Sequence, residues 1–201
     1  MKMTSRILFA VAVLMLIGAY FLPLWQIMLE APQYPEGIGL IIWYNDIVGY
    51  KPNDLNNVNG LNHYIGMRPI EPENILELKI IPYIIGFMIL FGLLGVILGR
   101  KKWLYAWVIT LMILGIVGLA DYYRWGYDYG HNLDPTAAIK VPGQSYQPPL
   151  IGSKKILNFT SYSYPATGGW MIAISFVIAV LAAIHTSKLC PLDRLRRRLH
   201  P

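Results

Sequence analysis

The chain has 201 residues, of which 55% are hydrophobic and only 14% charged, and a formal net charge of +6. A soluble domain carries about a quarter charged residues, so this composition excludes an ordinary soluble enzyme. The basic excess needs no nucleic-acid partner, because its placement along the chain reads as a membrane-insertion signal.

Four blocks, residues 7–29, 80–98, 103–120 and 170–185, hold no Asp, Glu, Lys or Arg. A hydrocarbon core of about 30 Å needs about 20 apolar helical residues. The first three blocks meet that length, and the fourth does so once Gly168 and Gly169 are included. The sequence therefore predicts an all-α membrane protein, a single membrane domain over 1–201. Its four transmembrane helices fall at about 6–29, 78–99, 103–123 and 168–187. Two long extracytoplasmic loops, 30–77 and 124–167, form a small mixed outer cap.

The first block begins with Lys2 and Arg6, as signal peptides do. Its apolar run exceeds the usual seven to fifteen residues or so, and no small-x-small cleavage site follows, which favours an uncleaved signal-anchor. In the first loop, "GLIIWYNDIVGY" reads as a short strand pair with Asn45 and Asp46 at the turn. "EPENILEL" reads as the capped start of the second helix, extended outward. The link "GRKKW" is so short that the second and third helices form an antiparallel hairpin. Gly92, Gly95 and Gly99 on one and Gly115 and Gly118 on the other offer the small faces on which such helices pack.

In the second loop, "YYRWGYDYGHNLDPTAAI" continues the third helix and breaks near Gly126 or Gly130. The remainder, "VPGQSYQPPLIGSKKILNFTSYSYPATGG", is punctuated by Pro and Gly and is predicted to be extended with one hairpin. Eleven of the fourteen tyrosines lie in the two loops once Tyr122 and Tyr123 at the outer end of the third helix are included, a composition too aromatic for disorder, and the loops are expected to pack together. Trp25, Trp125 and Trp170 fall near the outer boundary and Trp103 near the inner one, as an aromatic belt would.

Orientation follows from the basic residues. The N-terminus, the short link and the C-terminal tail hold ten basic residues and one acid, against seven basic and ten acidic in the long loops with the adjoining Lys79 and Asp121. Both termini are thus expected in the cytoplasm and both loops outside a multi-pass cytoplasmic membrane protein. Cys190 is the single cysteine, on the reducing side, so no intramolecular disulfide is predicted.

Haem b requires axial histidines inside the helices, and His185 and His200 lie at or beyond an inner end. No CxxCH, HExxH or two-His-one-carboxylate pattern is present. No charges within the spans mark an ion path. What remains is His63 and Met67 in the stretch "NNVNGLNHYIGM", with His131 in the other loop. Imidazole and thioether together suit copper, Cu(I) above all, and Asp121 and Asp128 stand where they could orient His131. The alternative reading of these segments is a packed or partner-docking surface, since interfaces are enriched in Tyr, Trp, Met and Arg. Tyr64, Arg68, Tyr122, Tyr123, Trp125, Tyr127 and Tyr129 are its candidate residues.

The segments "LPLWQIMLEAPQYPEGIGLIIW", "VNGLNHYIGMRPIE", "YDYGHNLDPTAAIKVPGQSYQPPLIG" and "NFTSYSYPATGGW" resemble the NosB-type integral membrane proteins, over essentially the whole chain. Those are encoded beside the clade II, Sec-exported nitrous oxide reductases. The resemblance implies a membrane partner for a copper enzyme on the outer face: a non-enzymatic accessory subunit that docks the reductase or its maturation machinery. It also leaves open a copper relay through His63, Met67 and His131. A quinol-linked electron-transfer subunit, with His131 or Asp121 as proton acceptor, is a third possibility.

Overall fold

The computed structural model describes residues 1–141 and 143–199, with side chains as far as Ser187 and backbone alone from 188 onward. Cys190, the basic residues of the tail and His200 therefore lie outside the described side chains. The chain forms helices α1 (Met3–Ala19), α2 (Asp54–Ile65), α3 (Leu76–Leu98), α4 (Lys101–His131) and α5 (Thr167–Leu199). It forms strands β1 (Trp25–Ala31), β2 (Tyr34–Ile42), β3 (Ile47–Gly49), β4 (Gly152–Ile156) and β5 (Phe159–Pro165). The strands make one antiparallel sheet in the order β3-β2-β1-β5-β4. The all-α class expected from the sequence is thus overturned: the fold is mixed α/β.

The largest single difference is at the first apolar block. Expected as one helix over 6–29, it is helical only to Ala19, unwinds through turn bonds from Tyr20, Phe21 and Leu22 to the preceding turn, and meets Pro23. Proline cannot donate the next helical bond, and Trp25–Ala31 becomes the central strand of the sheet. A charge-free run cannot by itself distinguish the end of a helix from a buried strand. The strand pair over residues 34–49 closes on a turn in which the Trp43 amide bonds the Asp46 carbonyl at 2.8 Å, and the hairpin of β4 and β5 turns at Leu157 and Asn158.

Among the described residues, α3, α4 and the first part of α5 (Thr167–Ser187) are long and apolar enough to cross a membrane. Their outward faces are apolar, with Leu90, Ile97, Ile116 and Val177 all well exposed, as lipid-facing positions are. The chain is a membrane protein. At 17 residues, α1 is about 25 Å long, and it makes its most extensive contact along α5.

The bundle core is built from Phe9, Val13, Leu16, Met88, Leu104 and Trp107. Gly92 and Gly95 of α3 are indeed a packing face, but for α1 rather than for the glycines of α4. A Cβ on Gly92 would stand 2.5 Å from Val13 and 2.9 Å from the Trp107 indole, and one on Gly95 would stand 2.8 Å from Phe9, whereas Gly115 and Gly118 have nothing within 4 Å. Gly99 is instead the left-handed cap of α3, at φ +62. The carbonyls left free at that helix end are taken by the Arg6 guanidinium (Val96 at 2.7 Å, Ile97 at 3.0 Å) and by the Met1 amino group (Gly99 at 2.8 Å). Cations there also complement the helix dipole. The result gathers Lys2, Arg6 and the basic link 100–102 at one end of the bundle.

The sheet forms the opposite end. Its inner face, with Ile38 and Leu40, packs with Ile47, Val58, Ile70 and Leu78 into a second core. The buried Asp54 carboxylate at the start of α2 accepts the Gly39 and Lys51 amides, each at 3.0 Å, and so fastens α2 to β2 and to the chain after β3. Since β1 leads from the first apolar block into the first long loop and β5 ends the second, their pairing makes the two loops one cap.

Candidate functional site

The stretch "NNVNGLNHYIGM" is helix α2 and its exit turn. Leu55, Val58, Leu61 and Ile65 recur at helical spacing, a period legible in the sequence. The first loop, expected to hold only a strand pair and the outward start of the second helix, thus contains a further helix. The asparagines hold the return. Asn59 donates to the Ile70 carbonyl at 3.0 Å and accepts its amide at 2.7 Å, in the manner of a strand partner. Gly66 adopts φ +80 and ends the helix, with the Met67 amide bonded back to the Asn62 carbonyl at 2.9 Å. This turn sends the two ends of the His-x-x-x-Met pair in different directions. His63 is exposed on the helix surface, while Met67 is half-buried in the wall of an apolar cavity.

His131 is the last residue of α4. Its Nδ1 is hydrogen-bonded to the Tyr127 carbonyl at 2.9 Å and its ring stacks on Tyr127 at 3.9 Å between centroids. The carboxylates expected to orient it are engaged elsewhere. Asp128 pairs with Arg68 and accepts from Asn132, and Asp121 takes Arg124 at 2.6 Å. Among the described residues no three His, Cys, Asp or Glu side chains gather as a metal group.

The aromatic candidates separate into two sets. Tyr122, Trp125 and Tyr129 turn inward. Tyr122 bonds Ser163 Oγ at 3.1 Å and packs at 5.3 Å from Trp25, whose indole N–H donates to the same Ser163 Oγ at 2.8 Å. Trp125 and Tyr129 stack at 4.3 Å and line the cavity, so Trp25 and Trp125 serve the cap rather than a membrane belt. Tyr64, Tyr123 and Tyr127 remain about half exposed, and Trp170 likewise. Tyr123, Tyr127 and His131 recur every fourth residue, so they form one exposed stripe on the outward extension of α4. Arg68 flanks the adjoining face, paired with Asp128 and lying 5.2 Å from the Tyr129 ring centre. Arg124, bonded to Asp121 and to Glu77 at 3.2 Å, ties this part of α4 to the start of α3.

Segment 134–139 lies beside the end of α2 through Asp134 N–H to the Gly66 carbonyl (2.8 Å) and Ile139 N–H to the Tyr64 carbonyl (2.9 Å). The Thr136 hydroxyl, and then its amide, hold the Asp134 carboxyl below its usual value of 3.8.

The cavity, of about 100 Å³, lies between the inner face of the sheet, α2, the outer end of α4 and residues 146–148. Its wall is apolar, with Ile27, Leu40, Val58, Met67, Trp125 and Phe159 prominent. Gly130 brings the last side of it into place. Its carbonyl accepts the Tyr146 amide at 3.0 Å, and a Cβ there would collide with the Gln147 backbone. Nothing in the sequence distinguishes this residue from Gly126, because the need for it comes from a segment sixteen residues downstream.

Fold and site together define a membrane protein whose helices carry one α/β cap with an exposed aromatic stripe and an internal apolar cavity. Comparison of the chain with protein-family models and with curated proteins finds no match.

Proposed function

We propose that this protein is a non-catalytic accessory subunit, anchored in the cytoplasmic membrane by its apolar helices, whose cap docks an extracytoplasmic protein. The resemblance to the NosB-type proteins gives the partner its class: a Sec-exported nitrous oxide reductase or the machinery that matures it. The termini and the basic link lie in the cytoplasm in this reading, and the cap outside.

The observation that carries it is the stripe of Tyr123, Tyr127 and His131. These rings stay exposed while their neighbours Tyr122, Trp125 and Tyr129 are used to build the cap. Exposed aromatics on a rigid helix order at small entropic cost and are the typical anchors of an interface. The copper relay has less geometric support, since Met67 faces the cavity while His63 lies exposed on the helix surface.

The test is binding of purified nitrous oxide reductase to the full-length protein in nanodiscs. Saturable binding is expected, weakened tenfold or more in a Tyr123→Ala/Tyr127→Ala variant. Absence of binding by the unaltered protein, or equal binding by the variant, removes the docking reading.

A further inference from the structure

The end of the bundle opposite the sheet gathers positive charge that the fold does not neutralise. Lys2, Arg6, Arg100, Lys101 and Lys102 are all exposed, and none pairs with a carboxylate among the described residues. No Asp or Glu occurs in residues 1–29, 78–120 or 167–187. Every acid among the described side chains belongs instead to residues 30–77 or 121–134, which build the cap or lead into it.

Backbone contacts hold these cations together. The Met1 nitrogen donates to the Gly99 carbonyl at 2.8 Å, which sets the next residue of each segment, Lys2 and Arg100, beside one another. Lys2 and Arg6 lie one helical turn apart, with the Arg6 amide bonded to the Lys2 carbonyl at 3.0 Å. The Arg6 guanidinium is fixed in turn on the Val96 and Ile97 carbonyls. Lys101 and Lys102 follow in the first turn of α4, which has no acid. Cations there oppose the helix dipole as well as one another, and an external anion relieves both.

The surroundings select the anion. Met3 and Ile97, 72% and 68% exposed, put apolar surface directly beside the cations, as do Ile7 and Leu98. A free phosphate would leave that surface in water. A phospholipid covers it with acyl chain and offers its phosphate to the ammonium and guanidinium groups. The cluster also stands at the end of helices long enough to cross a membrane, the level at which headgroups lie. Insertion asks only for basic residues on one side of the bilayer, and does not ask that they converge.

We infer that this end of the bundle is a binding site for one anionic phospholipid, whose phosphate lies among Lys2, Arg100, Lys101 and Lys102 and whose chains run along Met3, Ile7 and Ile97. The inference needs only that the helices span a membrane, and it does not rest on the docking reading.

Native mass spectrometry of the detergent-solubilised full-length protein reads this site, with phosphatidylglycerol and phosphatidylcholine of the same chains as probes. The expected result is saturable retention of one phosphatidylglycerol, tenfold or more tighter than phosphatidylcholine, since each basic residue at a membrane surface contributes about fivefold. A Lys2→Gln/Lys101→Gln/Lys102→Gln variant should lose that preference, while the charge-keeping Lys2→Arg/Lys101→Arg/Lys102→Arg variant should retain it. A Lys154→Gln/Lys155→Gln variant, which removes charge from β4 at the other end, should also retain it. Excess inorganic phosphate should not displace the lipid. Equal retention of the two lipids by the unaltered protein overturns the inference and leaves the cluster an insertion signal alone. A preference that persists in the glutamine triple variant overturns it too, and assigns the lipid to the tail. Loss of preference in the β4 variant would mark a diffuse charge effect, and displacement by phosphate a free-anion site; either overturns it.

Discussion

Asp54 concentrates much of the cap's cohesion in one carboxylate. It joins α2 to two points of the sheet segment through the Gly39 and Lys51 amides, in a buried position. Asp54→Ala would leave at least the Gly39 amide without an acceptor, so a loss of about 1–3 kcal/mol is expected, measured by denaturant unfolding followed through cap tryptophan fluorescence. Asp134 gives a pH-dependent counterpart. Because its folded pKa lies below the usual 3.8, the stabilisation it brings to the 134–137 turn is present above that value. It is lost as pH falls through the lower, folded pKa. The Thr136 amide resonance should therefore titrate with a midpoint under 3.8, and Asp134→Asn should abolish that titration. At this scale the sequence was a partial guide. It marked His63, Met67 and His131 by their chemistry, but Gly66 at φ +80 decides where Met67 goes, and that depends on backbone geometry. Asn59 and Asn62, which hold the turn, carry no distinguishing sequence signal.

At the scale of elements, the hairpin of β4 and β5 stores a correctable cost. Leu157 adopts φ +55 at the first position of its two-residue turn, where glycine is favoured because a Cβ crowds the left-handed region. Leu157→Gly should therefore raise cap stability by about 0.5–1 kcal/mol, visible as slower amide exchange along β4. Gly130 makes the opposite case. Alanine there would push Gln147 and its neighbours away from α4, breaking the Tyr146 amide bond and opening the cavity. A loss of about 1–3 kcal/mol is expected. Three of the long helices were legible because apolar runs of membrane length have few other meanings. The pairing of β2 with β3 was legible from Asn45 and Asp46 at its turn, whereas the second loop announced a hairpin only through its Pro and Gly, without its position. Strand β1 was not, since "WQIMLEA" is apolar enough to pass for a helix end, and only pairing with β2 and β5 on either side reveals its role.

For the molecule as a whole, the pairing of β1 with β5 joins segments more than a hundred residues apart, and neither loop could build the sheet alone. The bundle therefore has two unlike ends. One is the sheet and the helices packed on it. The other gathers Lys2, Arg6 and residues 100–102, drawn together where Met1 and Arg6 cap α3. Basic residues are retained on the cytoplasmic side during insertion, so this asymmetry predicts a single orientation, which the docking reading requires. Cysteine accessibility measures it directly. In a Cys190→Ser background, Lys155→Cys on the exposed strand β4 should react with a membrane-impermeant maleimide in intact cells. Lys102→Cys in the basic link should react only after permeabilisation. The reverse pattern would place the cap in the cytoplasm, out of reach of any exported reductase, and the partner class would have to be sought among cytoplasmic proteins.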